Sequence, residues 1–409
     1  MSGQERPEAG ARTVTEAVHV RPRLFTPSFA ALSAAVLAFF VSNGMFLPLI
    51  PRYTAGPLGG NDVAVGIVLG SYSITSLLTR PIAGRLSDRR GRRVVLLAGA
   101  LVAVVASFGH LFAADLATLT AMRLLLGVGE ALFFVAGLAA ATDLAPEERR
   151  GEAISLFSLS LYLGVAIGPV LAELLLRPLG YSTVWLVVAG IAVLAAVLSA
   201  LAPETLPPGS RATAATTGRL VDPRGIEPGL IVLCGVFGMG GYFAFMPLLG
   251  DRLGLDGVGG YMAAFALVVV VLRIVGARLP DRLGAARLSG AAMIVTAIGL
   301  GIGGFFPTAI GLAISTVIFA TGVAFTFPAI MALSVIGVSP GQRGAVMGTA
   351  SLFVDVAFGL SPAVLGLLAT VTGYPATFLV SSAIAVVGAA WLLIRRPGAD
   401  RLSAVGQPG

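Results

Sequence analysis

About twelve apolar stretches divide this chain, near residues 27–50, 63–84, 94–114, 116–142, 152–176, 182–202, 228–250, 257–277, 288–305, 309–337, 345–369 and 374–395. Short runs carrying arginine, proline and glycine separate them. Most are about 20 residues or longer, which is what a helix needs to cross ~30 Å of hydrocarbon. A segment in hydrocarbon must satisfy its own backbone hydrogen bonds, so the pattern confines the chain to packed membrane helices. Composition agrees: only 11% of residues are charged and the mean hydropathy is +0.94, whereas a globular domain carries about 25% charged residues. The expected class is all-α integral membrane, with the lipid bilayer as its solvent. The formal charge of +7 and the pI of about 10.3 then describe where arginines sit relative to a bilayer, not an affinity for nucleic acid.

Short cytoplasmic loops hold the excess of positive charge in such proteins. With the N-terminus inside, Arg52, Arg177 and Arg252 fall outside and Arg80, Arg123 and Arg273 lie within or beside helices, leaving 21 of the 27 basic residues on the cytoplasmic side. Both termini are therefore expected in the cytoplasm of a cell membrane. The expected organisation is a polar leader over 1–26, a first six-helix bundle over 27–202, a linker over 203–227 rich in Pro, Gly and Thr, a second bundle over 228–396, and a tail over 397–409. The leader lacks the short apolar core and small-residue cleavage site of a secretory signal. The single cysteine, Cys234, cannot form an internal disulfide.

The chain repeats itself. An offset of 193 residues aligns Arg80 with Arg273, Asp88 with Asp281, Arg89 with Arg282, Gly91 with Gly284, Arg150 with Arg343, Pro169 with Pro362, and Gly180-Tyr181 with Gly373-Tyr374. An earlier near-match, FLPLI at 46–50 against FMPLL at 245–249, needs a different offset. Two parallel copies of a six-helix unit, related by a pseudo-twofold axis, are expected.

The run Gly84-Arg85-Leu86-Ser87-Asp88-Arg89-Arg90-Gly91-Arg92-Arg93, echoed by Ala277-Arg278-Leu279-Pro280-Asp281-Arg282-Leu283-Gly284, resembles the signature loop of the major facilitator superfamily. The resemblance covers nearly the whole chain and implies twelve membrane helices that work by alternating access. Gly84 and Gly91 suit a tight reversal between two helices. Within the family the acid corresponding to Asp88 sits at the start of the eleventh helix and pairs with an arginine, closing the halves on the cytoplasmic side. Here the implied partners are the helix start near Gly344 and Arg149 or Arg150, and the gating set is Gly84, Asp88, Arg89, Gly91, Arg92, Asp281, Arg282 and Arg150. A loop that only determines topology is the alternative.

Charges within hydrocarbon are costly, and those present usually face a cavity and have a function. Arg123-x3-Gly127-x-Gly129-Glu130-Ala131 resembles the family's Arg-x3-Gly-x-Gly-x-Ala pattern, which is associated with proton coupling. Arg123 and Glu130 lie on one helix face about 10 Å apart along the axis, too far for a tight direct pair, though a substrate or water could bridge them. Glu130 is the first candidate for proton exchange, against a structural acid satisfied by another helix. Asp355, in a stripe with Ser351, Gly359 and Pro362, is the second. Glu173 and Arg177, one turn apart, suggest an interfacial ion pair. Gly164-x3-Gly168-Pro169 resembles the antiporter signature of the family's drug exporters, but the chain continues Val-Leu-Ala-Glu where further glycines are usual, and a small-residue packing face competes. Asn43, Phe134, Tyr162, Tyr242, Phe245 and Phe325 are candidates for a central cavity, whose aromatic walls would suit amphiphilic or cationic aromatic ligands better than sugars.

The resemblance thus implies a proton-coupled exporter of hydrophobic or amphiphilic small molecules, with protons and a small-molecule substrate as partners. The alternatives are a proton-coupled importer of a metabolite and a non-transporting receptor on the same scaffold. Metal or hydrolytic chemistry asks for clustered His, Cys or carboxylates, yet the histidines are His19 in the leader and His110 near an outer loop. No nucleotide-binding loop of the Gly-x4-Gly-Lys type occurs. Neither an enzyme, a cofactor nor a metal is therefore expected, and one chain with two repeats suffices as a monomer.

Overall fold

A computed structural model describes residues 26–146, 149–206, 221–276, 279–338 and 340–395. The leader, the middle of the linker and the tail lie outside the described residues. The described chain is helical: α1 Pro27–Ala55, α2 Asp62–Arg90, α3 Arg92–Gly109, α4 Leu116–Asp143, α5 Arg150–Leu201, α6 Ile226–Arg252, α7 Gly259–Val275, the short α8 Leu279–Leu283, α9 Ala285–Phe305, α10 Ala309–Ser334, α11 Pro340–Thr372 and α12 Tyr374–Arg395. Ten of these helices contain a span long and apolar enough to cross a membrane. One, α5, is long enough to cross twice, and α7 is a shorter apolar helix, so length and composition allow about eleven or twelve passes.

Side-chain caps start several helices at the ends of the apolar runs: Thr26, Asn61, Asp115 and Thr308 each accept a hydrogen bond from a backbone amide three residues on. These oxygens satisfy donors that a helix start leaves bare. Asp115 lies outside the membrane spans, and the amide and hydroxyl of Thr118 hold its carboxyl below the usual range.

The repeat is visible in the backbone. Gly91 and Gly284 turn the chain at φ 109° and 80°, and Gly180 and Gly373 turn it at φ 71° and 80°, each pair 193 residues apart. Those angles favour glycine. Gly180 leaves the helical region and divides α5 into two helices, so the two stretches expected as separate helices are separate. Gly84, expected to share the reversal, instead lies inside α2, which continues to Arg90 because the Arg-rich end of the signature still supports a helix. Only Gly91 turns.

Helices α1–α5 are called the first half below and α6–α12 the second. They meet where small residues allow backbones to touch. A Cβ on Gly66 would come within 2.2 Å of the Pro362 carbonyl oxygen and one on Gly70 within 2.2 Å of that of Gly359, seating α2 on α11. In the other copy, α7 approaches α5 where Gly259 faces the Pro169 carbonyl. The end carrying Gly91 and the linker is called inner below, and the end carrying Gly180 outer.

Candidate transport site

Between the halves lies a cavity of about 560 Å³. Its walls are mostly apolar and aromatic, and it reaches the inner ends of α4 and α5 at Leu138 and Ile154. Into it project Asn43 from α1, Arg80 from α2, Arg123, Glu130 and Phe134 from α4, Tyr162 from α5, Arg273 from α7 and Asp355 from α11. Three guanidinium groups and two carboxylates thus share a chamber whose walls are otherwise mostly apolar.

Arg80 is the hub. Its Nη2 lies 3.1 Å from Asp355 Oδ1 across the interface and 3.6 Å from Glu130 Oε1 in its own half, while the guanidinium stands 5.0 Å over the Phe134 ring. Ser76, one turn before Arg80 on α2, donates to Glu130 Oε2 at 2.5 Å. Both acids are buried, and Asp355 Oδ2 has no hydrogen-bond partner among the described residues. Burying a carboxylate is costly unless it is paired, so one arginine offsetting two acids holds them in reach of each other. Arg123, expected to work with Glu130, pairs with no carboxylate among the described residues. It is 5% exposed, lies 4.6 Å over Tyr72 and 5.6 Å over Phe46, and its Nε has no acceptor among the described residues. Seven residues of helix separate it from Glu130, and Arg80 takes the nearer place.

At the outer end the halves are tied. Arg52 makes a fork with Asp251, 2.8 Å from Nε to Oδ2 and from Nη2 to Oδ1, and reaches Glu173 Oε1 at 2.7 Å. Glu173 accepts as well from the amides of Val258 and Gly259 at 2.8 and 2.5 Å. These are the first turn of α7, where a carboxylate meets the positive helix terminus. Tyr374 donates to Asp62 at 2.8 Å. Glu173 was expected to pair with Arg177; instead Arg177 contacts Asp256 at 3.3 Å, because Glu173 faces α7. The cavity thus reaches the inner end while the outer end is tied.

The profile of the Major Facilitator Superfamily matches residues 32–354 and 258–408. The chain belongs to this superfamily. It is 30% identical over 380 residues to the uncharacterized MFS-type transporter STM4428 of Salmonella typhimurium, covering 89% of this chain and 96% of that one. It is 25% identical over 380 residues to the MFS-type transporter YhhS of Escherichia coli K12, covering 88% and 91%. Among solved structures, a bacterial homologue of the human lysosomal transporter Spinster, inward-facing and unoccupied, superposes with a TM-score of 0.76 at 16% identity over 91% of this chain and 97% of that one. The human organic anion transporter MFSD10 does so with a TM-score of 0.69 at 19% identity over 90% and 100%. The chain is therefore a multi-pass membrane transporter, not an enzyme.

Within this superfamily fold the remaining candidates divide. Asn43, Phe134 and Tyr162 line the cavity, and Tyr242, Phe245 and Phe325 do not. Tyr242 bonds Thr316 at 2.9 Å inside its own half, Phe245 stacks on Tyr374, and Phe325 packs against Gly276. Phe243, one residue and about 100° around α6 from Tyr242, takes the cavity face instead. Gly164 and Gly168 receive α1, where a Cβ on either would come within 2.6 Å of the Phe40 or Gly44 backbone. Asp88 pairs with Arg92, which also reaches Asp143 at 3.2 Å, so it ties the signature to its own half rather than to the start of α11. Arg149 is held by Glu152 at 2.8 Å, and Arg150, Arg89 and Arg282 are exposed. The Asp281 side chain lies outside the described residues. Sequence reasoning missed Arg80 and Arg273 as site residues, although the repeat had paired them: both line the cavity, and Arg273 stands 4.6 Å over Tyr162 as Arg80 stands over Phe134.

Proposed function

We propose that this transporter is a proton-coupled exporter of hydrophobic or amphiphilic small molecules. In this reading it acts as a monomer in the cell membrane, with its inner end and both termini in the cytoplasm. The observation that carries the coupling is Arg80 shared between Glu130 of its own half and Asp355 of the other. A proton on Asp355 leaves the guanidinium to Glu130 and loosens the tie between halves at mid-depth. A proton on Glu130 instead gives Arg80 wholly to Asp355 and tightens it. Proton occupancy thereby biases the two bundle arrangements, which is all that coupling requires. Asp88 then serves as the inner latch of the outward-facing state, when the start of α11 comes within reach. Export is supported by the Gly164-x3-Gly168-Pro169 signature, and a mostly aromatic chamber supports an amphiphilic cargo.

The test is proton movement in proteoliposomes under an imposed pH gradient, challenged with a panel of aromatic amphiphiles, for wild type, Glu130→Gln and Asp355→Asn. Substrate-triggered proton flux should vanish in both variants while counterflow of labelled substrate persists. Coupling intact in both variants overturns the assignment of these acids. Protons moving in the same direction as substrate would replace export with symport.

A further inference from the structure

We propose that the cargo is an anionic amphiphile, one acidic group on an apolar or aromatic body, and that its charge is seated by Arg273 of α7 with Arg123 of α4 as the second cation. The inference deepens the transport reading and rests on it only in treating the central cavity as the place where cargo binds.

The repeat supplies the argument. At the offset of 193, Arg80 corresponds to Arg273, Asp355 to Tyr162 and Glu130 to Val323, and all six side chains line the cavity. The same cross-half contact is therefore built twice, by α2 on α11 and by α7 on α5. In the first copy the arginine meets two carboxylates. In the second, the positions of those carboxylates hold a phenol and an isopropyl group. Arg273 faces the Tyr162 ring at 4.6 Å and gives its Nε to the Ala324 carbonyl at 3.3 Å, and it makes no ion pair among the described residues. A guanidinium offers five N–H donors in a fork that matches a carboxylate or phosphate. Arg123 adds an independent sign of a missing anion, since it is 5% exposed and its Nε is buried without an acceptor among the described residues. A buried cation without a counter-charge is costly. With Glu130 and Asp355 ionised the chamber still holds one positive charge in excess. An anion from solution neutralises what the fold leaves open, and the aromatic walls take its apolar body. A volume of about 560 Å³ admits a small amphiphile; a two-chain phospholipid is too large for it.

Full-length protein in nanodiscs of zwitterionic lipid should be titrated with three probes sharing one ring system: 1-naphthylacetate, 1-naphthylacetamide and 1-naphthylmethylamine. The carboxylate should bind at least about 10-fold tighter than the other two. Arg273→Gln should erase that preference, and Arg273→Lys, which keeps the charge but not the fork, should restore part of it; size-exclusion profiles check that each variant is folded. Equal or tighter binding of the amide or amine, no binding of the carboxylate at millimolar concentration, or an unchanged preference in folded Arg273→Gln overturns the proposal. Counterflow of the same probes separates this from the transport reading. Charge-selective binding without counterflow sinks transport and leaves the anion seat standing, whereas counterflow of the amine alone does the reverse.

Discussion

Removing the Glu173 carboxylate should open the outer end. With the outer end tied, this one side chain accepts three charge-assisted hydrogen bonds from groups that belong partly to the other half: Arg52 Nη1 at 2.7 Å and the amides of Val258 and Gly259 at 2.8 and 2.5 Å. The Arg52 and Glu173 side chains are 12% and 15% exposed, so water competes poorly for them. A hydrogen bond to a charged group contributes about 1.5–3 kcal/mol net. The three share one acceptor and are not additive, and in the open state their partners recover solvent. A net loss of about 2–4 kcal/mol from the closed outer end follows, or about a 30- to 900-fold shift in the ratio of outward-closed to outward-open forms. Spin labels at Pro57→Cys and Leu253→Cys, one on each half at the outer end, in a Cys234→Ser background, report that ratio as a distance distribution. Glu173→Ala should populate a longer distance. Arg177→Ala provides the contrast, because its pair with Asp256 spans 3.3 Å between side chains that are 64% and 102% exposed, and such pairs contribute about 0–1 kcal/mol. An unchanged distribution in folded Glu173→Ala, or an equal shift in Arg177→Ala, would refute the assignment of the outer seal to Glu173.

Gly257→Ala should open the same end by another route, since Gly257 turns at φ 126° and a Cβ there would come within 2.4 Å of Glu173 Oε2; the same spin-label pair should lengthen. Asp88→Asn should leave expression near wild type and lower turnover in proteoliposomes by weakening the inner latch, and unchanged turnover would remove Asp88 from gating. Gly168→Val should lower the thermal unfolding midpoint by several degrees, because its Cβ would meet the Gly44 and Met45 backbone at 2.6 Å and overpacking costs about 1–3 kcal/mol; no change would mean that α1 and α5 can separate freely.

Much of this was legible in the chain because hydrocarbon imposes length and the repeat imposes position. The apolar blocks located the helices to within about a turn or two, and the glycine pairs 91/284 and 180/373, aligned by the repeat, sit where the backbone turns in both copies. What the sequence hid was phase. Asn43, Phe134 and Tyr162 point into the cavity while Tyr242 and Phe245 point away from it, and a helix that is apolar on every side gives no periodic signal to tell such faces apart. The partner of Glu173 was hidden for a related reason. Proximity along the helix favoured Arg177, whereas the carboxylate is used by Arg52 and by the start of α7, contacts that exist only once two bundles meet.

The positions where the repeat breaks carry more about function than those where it holds. Arg52 and Asp251 occupy matching places after the FLPLI and FMPLL segments, offset by 199 residues, and they pair with each other across the axis. A strictly duplicated sequence would set like against like at that contact, arginine on arginine, and repel. Divergence to opposite charges turns the same contact into a seal. The central chamber follows the same logic with the opposite result. One copy of the cross-half contact acquired two acids around Arg80, and the other kept its arginine and acquired none. A duplicated scaffold supplies two equivalent contacts, and the asymmetry placed on it surrounds one arginine with acids and leaves the other with charge to spare.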